Sequence, residues 1–504
     1  MPLAIREGEE LAAVDLGSNS FHLVVARYEH GQPRVIDRLR VAVRLAAGVD
    51  EHGQLAAEKR REALSCLSQF GQRLRDLPHE RVWVVCTQAI RKLKTPRAFL
   101  VAAETALGHP VEVVSGREEA RLIYLGVAHG IKDDGQRRLV LDIGGASTEL
   151  IIGEGFESID RESVQMGCVA TTQQWFAEGN YSRKRYESAR LALALELQQF
   201  AAEFRARGWQ RAYGASGTIR ATGSIARAHG HREGSITPDL IEEIRARILK
   251  AGSHQRLEIP GLPEDRRGIF VGGFAVLDAV VDTLGIEHLA VAETAMREGL
   301  LYDMLGRAAA TDPRAASIAA LCQRYGVDLA QAERVERTAL ALFDQVAADW
   351  KLDDEHRIWL QFAARVHEIG LAIAHSQHHH HAEYLLQNSD LAGFTRMDQE
   401  ILAVIVRGHR RSLPVRPLRA LPPRLTTPAT RVTLVLRLAA LMHRSRVDNS
   451  APQIGLSVRE YHLRLALPQH WLEAHPLTGT DLQQEREMLA AFGITLTVGT
   501  LSAG

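Results

Sequence analysis

The chain has 504 residues, 46% hydrophobic and 24% charged, and its 61 Lys plus Arg balance 61 Asp plus Glu. That composition excludes a disordered or collagen-like chain, and the zero net charge selects no partner by itself. A single core stops growing well below this length, so about three or four domains are expected.

Cys66, Cys86, Cys168 and Cys322 lie far apart with no CxxC pair, so neither a disulfide framework nor a zinc site is expected. The opening MPLAIREGEELAAVDLG carries acids and no long apolar core, which argues against a signal peptide. No apolar run reaches the ~18 residues of a membrane span. A cytoplasmic protein is expected.

The first patterned element is AAVDLGSNSFHLVV, residues 12–25. An apolar run reaches Asp15, turns through Gly17, Ser18, Asn19 and Ser20, and becomes apolar again, which predicts a β-hairpin with a glycine-bearing turn. An apolar strand at 82–86 follows and leads to Arg91. In SGREEARLIYLGVAHG, residues 115–130, Ser115 and Glu118 form an S-x-x-E capping box that opens an amphipathic helix. With Glu118 engaged at the cap, Glu119 is free to face elsewhere.

The next element, LVLDIGGASTELII (139–152), repeats the first: Asp142 falls on Asp15, Gly144 on Gly17, Ser147 on Ser20 and Leu150 on Leu23, each 127 residues later. Two such turns at a domain-sized spacing predict two related α/β domains with their hairpins meeting at a cleft. Bare glycine backbone lets several N–H groups point at one anion, and the hydroxyls of Ser18, Ser20, Ser147 and Thr148 add donors. A phosphate cradle is therefore expected from Gly17, Ser18, Asn19, Ser20, Gly144, Gly145, Ala146, Ser147 and Thr148. GASGTIRA, residues 214–221, supplies a third small-residue turn at Gly217, for which tight packing and ligand contact are both open.

Residues 306–317 read as a linker, with Asp312 and Pro313 starting a helix, and an Ala/Leu-rich helical pattern continues to about 410. Four consecutive histidines, 378–381, point all round a helix rather than at one metal. Between 401 and 447 there are ten arginines and no Asp or Glu. Arg407, Arg410, Arg411, Arg416 and Arg419 are expected to form a track for a long polyanion; a basic segment neutralised elsewhere in the fold, or a dimer contact, is the alternative. Five prolines between 414 and 428 suggest a connection to a last small domain of alternating strands and a short helix.

These stretches, together with MGCV (166–169) and MREGLLYDM (296–304), resemble the exopolyphosphatase and guanosine pentaphosphate phosphatase family, Ppx/GppA, over essentially the whole chain. The resemblance implies an α/β N-terminal half of two actin-like (ribonuclease H-like) domains, 1–125 and 126–308. A mainly helical HD-like domain, 309–425, and a small α+β domain, 426–504, would follow. It implies an exopolyphosphatase acting processively on inorganic polyphosphate, with guanosine pentaphosphate (pppGpp) hydrolysis as the alternative. Glu119 is then the general base and Arg91 a phosphate ligand. Mg²⁺ is held near Asp142, Glu149 and Asp15, with a monovalent cation such as K⁺ as a further activator. A homodimer is implied, and no nucleic-acid partner. The HD motif is altered, because Glu368 follows His367 where Asp is usual, so a degenerate site is expected there. Ala146 and the pair Glu293-Thr294 also depart from the family pattern. Two other classes remain open: a nucleotide-gated switch or phosphotransferase, and a sensor that binds phosphate without cutting it.

Overall fold

The computed structural model describes residues 5–501 apart from 31, 51, 92, 132–134, 232–233, 309–312, 390, 392 and 448–451. Two compact units divide the chain, Leu3–Thr311 and Asp312–Gly504. The expected helix start at Asp312 lies outside the described residues.

In the first unit, strands β1 (Glu10–Leu16), β2 (Phe21–Glu29), β3 (Gln32–Val41), β4 (Val82–Cys86) and β5 (Glu112–Val113) form one sheet in the order β3-β2-β1-β4-β5. Strands β6 (Arg138–Ile143), β7 (Thr148–Glu154), β8 (Glu157–Val164), β9 (Arg211–Ala215) and β10 (Leu289–Val291) form a second in the order β8-β7-β6-β9-β10. Each is an antiparallel three-strand meander extended by two parallel strands. The sequence repeat is thus a repeat of whole sheets. Central β6 is buried along its full length while edge strand β3 alternates between exposed and half-buried residues, as strands covered on two faces and on one face should.

Strand alternation explains where the acids go. Ala12, Val14 and Leu16 pack with helices Ala57–Leu74 and Pro96–Leu107 on the outer face of the first sheet. Leu11 and Ala13 turn instead to a core shared with Val140 and Ile151 of the second sheet. Asp15 has the parity of Leu11 and Ala13, and Asp142 that of Val140, so both carboxylates leave their strands on the shared side. The outer face of the second sheet is covered by helices Arg183–Arg207, Ser216–Ala228 and Arg267–Leu284.

Helices Gly116–Gly130 and Met296–Ala308 fill the shared core. They cross at two glycines: a Cβ on Gly126 would lie 1.8 Å from the Ala295 carbonyl oxygen, and one on Gly299 1.8 Å from that of Leu122. The expected boundary at 125/126 therefore falls inside a helix that both sheets share.

The second unit is helical from Pro313–Arg324 through Leu329–Trp350, Asp354–Val366, His378–Asn388, Arg396–Arg407, Val415–Ala420 and Pro423–Met442. Strands β11 (Gly455–Arg459), β12 (His462–Leu467) and β13 (Thr495–Thr500), with helix Pro476–Ala490, complete it. The proline-rich stretch is not an open connection. Pro423 sits at the first turn of its helix and Pro428 lies within it, Pro423 where no intrahelical N–H partner is lost. That helix carries Arg437, buried and bonded to Glu485 at 2.7 Å and 2.9 Å, and one hydrophobic core runs from Ile318 to Leu496.

Candidate active site

The two glycine turns meet. A Cβ on Gly145 would lie 3.1 Å from the Ser18 Cβ and 3.3 Å from the Asn19 nitrogen. Each turn is equally tight at its matched glycine: the added Cβ would stand 3.0 Å from Ser20 O at Gly17 and 3.1 Å from Ser147 O at Gly144. Between them opens a cleft of about 360 Å³ lined by Gly17, Ser18, Asn19, Ser20, Gly144, Gly145 and Ser147.

Four carboxylates gather at the cleft. Asp15, Glu119, Asp142 and Glu149 all line it. Glu119 arrives on helix Gly116–Gly130, whose N-cap Ser115 accepts from the Glu118 N–H at 3.2 Å. The Glu118 side chain turns away to Arg121, at 2.8 and 2.9 Å, and Arg121 also bonds Asp303. Glu119 and Ile123, one turn apart, present one helix face to the cleft. Burial, and then repulsion from Asp15 and Asp142, pushes the Glu119 carboxyl up to about 7. Burial and the neighbouring Asp142 do the same to Asp15, to about 7. Burial lifts Asp142 to about 6, against the hydrogen bond from Ser216. Glu149 is raised well above the carboxylate range by burial and by Glu119.

Among the described residues no three His, Cys, Asp or Glu side chains converge into a ready-made metal cage. Burial raises all four carboxyls and mutual repulsion adds to it at Asp15, Glu119 and Glu149, so a cation among them would be stabilised. Mg²⁺ is bound through one or two carboxylates together with water and substrate phosphates, and this donor set fits that demand.

Four arginines, Arg40, Arg220, Arg266 and Arg297, share the cleft with these acids. Arg297 is close enough to act on Asp15, and Arg220 and Arg297 on Asp142. Arg297 donates to His22 Nδ1 at 3.0 Å, and burial plus these arginines lowers His22 to about 3, so it stays neutral. The Arg266 guanidinium lies over Gly217, where an added Cβ would come within 2.0 Å of Nη2. Sequence reasoning missed these arginines as a group because they come from four separate stretches. A signal existed for His22, which occupies in the first hairpin the place Glu149 holds in the second; Arg297 and Arg220 stood inside motifs already singled out.

Three expected phosphate ligands sit elsewhere. Thr148 is fully buried and its hydroxyl donates to the Met166 carbonyl; strand β7 carries it to the core side. Ala146 is buried and does not line the cleft, and its main chain is pressed by Gly167, whose added Cβ would lie 2.6 Å from Ala146 N. Arg91 is also outside the lining. It donates to the Val114 carbonyl and stands 3.4 Å from Glu119 Oε2, so it steadies the acid from behind. Gly217 does line the cleft.

In the second unit the arginine tract is largely engaged. Arg407 pairs with Glu383, Arg437 with Glu485, Arg444 with Asp481, and Arg446 with Asp328 and Glu368. Arg410 donates to His378, while Arg411, Arg416 and Arg419 are exposed. Of the histidine run, His378 and His379 are buried and join His367 and His409, with ring centroids 5.3–6.5 Å apart.

Comparison with known proteins agrees with this geometry. The model of the Ppx/GppA phosphatase family matches residues 24–308, and that of Ppx/GppA phosphatase domain III matches 314–486. An exopolyphosphatase from Cytophaga hutchinsonii is 23% identical, with a TM-score of 0.54 over 59% of this chain and 98% of that one. An exopolyphosphatase-like protein gives 23% and 0.52, over 59% and 98%. The Aquifex aeolicus PPX-GPPA enzyme gives 24% and 0.49, over 58% and 98%. The likeness to the first two shows a shared fold over 59% of this chain. With more than half its length matched by the family model, the chain belongs to the Ppx/GppA phosphatase family.

Proposed function

We propose that the protein is an exopolyphosphatase, removing terminal phosphates from inorganic polyphosphate one at a time. The observation that carries the reading is a single cleft lined by two facing glycine turns, the carboxylates of Asp15, Glu119, Asp142 and Glu149, and four arginines. The terminal phosphate sits against the turns, and the phosphates behind it lie toward Arg40, Arg220, Arg266 and Arg297. Glu119, poised near neutrality, accepts the proton of the attacking water, the task for which a base matched to the working pH is best suited. Arg91 fixes its orientation. The P–O bond to the next phosphate breaks, and the negative charge left on the shortened chain is met by the arginines. Asp142 and Glu149, with Asp15, would hold Mg²⁺, whose positive charge supports the phosphate oxygens when it is bound. The exposed Arg411, Arg416 and Arg419 are the remaining candidates for contact with a distal part of a long chain.

A second reading, hydrolysis of guanosine pentaphosphate, is favoured by the small-residue wall that continues past Gly217 to Ala221, Ser224 and Pro263, a surface a flat base could cover. Phosphate release with Mg²⁺ from long-chain polyphosphate and from guanosine pentaphosphate, for wild type and Glu119→Gln in parallel, tests both. Release from polyphosphate that is lost in the variant is expected. Release chiefly from the guanosine compound exchanges the substrate, and release from neither overturns the catalytic reading in favour of a sensor.

A further inference from the structure

Asp265 is a fifth acid in the cleft lining and stands at the end occupied by Arg40 and Arg266. It lies in the short turn Glu264–Arg266 of the second lobe, the half of the first unit built on the β6–β10 sheet. Its Oδ2 stands 3.6 Å from Arg40 Nη1, on β3 of the first lobe, and 4.0 Å from Arg266 Nε on its own side. One carboxylate oxygen therefore bridges two arginines across the cleft, as an oxygen of an incoming phosphate would. The bridge is open to solvent, with the Asp265 side chain 58% exposed, so water can take over its contacts and an anion can displace it.

We infer that Asp265 is an internal competitor for the arginine end, a positioning residue that makes the cleft admit densely charged phosphate chains and turn away weaker anions. Anything that binds must recover from Arg40 and Arg266 more than Asp265 gives up. A chain of adjacent phosphates, reaching Arg220 and Arg297 as well, does so. A lone sulfate or phosphate ion gains fewer contacts for the same displacement. The inference rests on the proposed phosphate-binding role of this end and adds to it a basis for discrimination.

Asp265→Asn keeps shape and removes the charge; Asp265→Glu keeps the charge. Exposed ion pairs of this kind are individually weak, so the expected effect is a KM for tripolyphosphate about threefold to fivefold lower in Asp265→Asn, with kcat unchanged. Inhibition by sulfate should strengthen by at least the same factor, and Asp265→Glu should behave as wild type. A merely structural bridge between the lobes predicts the opposite pattern, a lower kcat and melting temperature with KM unchanged or raised, and that result overturns the inference. Calorimetric binding of tripolyphosphate without divalent metal gives the same comparison independently of turnover. If wild type releases no phosphate, the catalytic reading fails, while equal or weaker binding by Asp265→Asn would still reject the role of Asp265.

Discussion

Adjacent glutamates on one helix have separate fates. Glu118 is spent on the buried Arg121–Asp303 network, and Glu119 faces the cleft. Glu118→Gln should therefore lower stability by about 1–3 kcal/mol through the weakened buried contact and leave kcat within about twofold. Glu119→Gln should lose about 100-fold or more in kcat, the scale of a missing general base, with the melting temperature nearly kept. Thermal melts beside steady-state kinetics separate the two, and equal activity loss in both variants would refute the division. A second residue-scale expectation concerns Gly217. Alanine there drives its Cβ into the Arg266 guanidinium, a side chain that can swing away, so the cost should appear as a KM raised about tenfold, one charge-assisted contact, rather than as unfolding. A fallen melting temperature with KM intact would mean that Gly217 serves packing alone.

At the scale of elements, much of the site was legible because chain alternation and repetition are local properties. The matched pairs Asp15/Asp142 and Gly17/Gly144 predicted two hairpins, and the parity of each Asp along its strand carries it to the shared face. Arg91 and Thr148 were legible as polar residues near the site but not in their directions. A side chain at the end of a strand or a short helix is aimed by its tertiary neighbours, here the Val114 and Met166 carbonyls. The arginine tract was legible only in part, for a related reason. The segment contains no acids, but Glu383, Asp481 and Glu485 reach it from other helices, and no local window shows them. Prolines 414–428 suggested an open connection, although Pro423 suits a helix start. Helix Pro423–Met442 is pinned by Arg437 and Glu485, and Glu485→Gln would leave an under-compensated buried charge. It should cost about 3 kcal/mol, read as a drop in the denaturation midpoint; a change below 0.5 kcal/mol, the surface-substitution scale, would show that the pair is dispensable.

For the whole molecule, the two units should answer acid in opposite directions. In the first, burial pushes the carboxyls of Asp15 and Glu119 up to about 7 and that of Asp142 up to about 6, which together outweigh the lowered His22. The native state then binds more protons than the unfolded chain, and stability rises as pH falls through 7 toward 4. In the second, burial and the flanking Arg407, Arg410 and Arg446 lower His378 to about 4 and His379 to about 3, with His367 and His409 also lowered. There the unfolded chain binds more protons, so stability is complete above about 6.5, the ordinary histidine value, and is lost as pH falls from there toward 4. Calorimetry at pH 7.5 and 5.5 without divalent metal should show one transition moving up and the other down. Mg²⁺ should raise the first transition at pH 7.5 and do so less at 5.5, where protons already occupy the carboxylates. Two transitions moving together would contradict the assignment of opposite titrating groups to the two units.

The exchange of one residue between the hairpin copies, His22 where its counterpart is Glu149, reaches further than its size suggests. Two identical hairpins face to face would be related by a two-fold axis, and a linear ion lying across that axis would have no reason to point either way. His22 on the first hairpin, bonded to Arg297, against Glu149 on the second, breaks that symmetry. A thread laid in such a groove has a head and a tail, and scission at the head is what distinguishes trimming a polymer from cutting it at random.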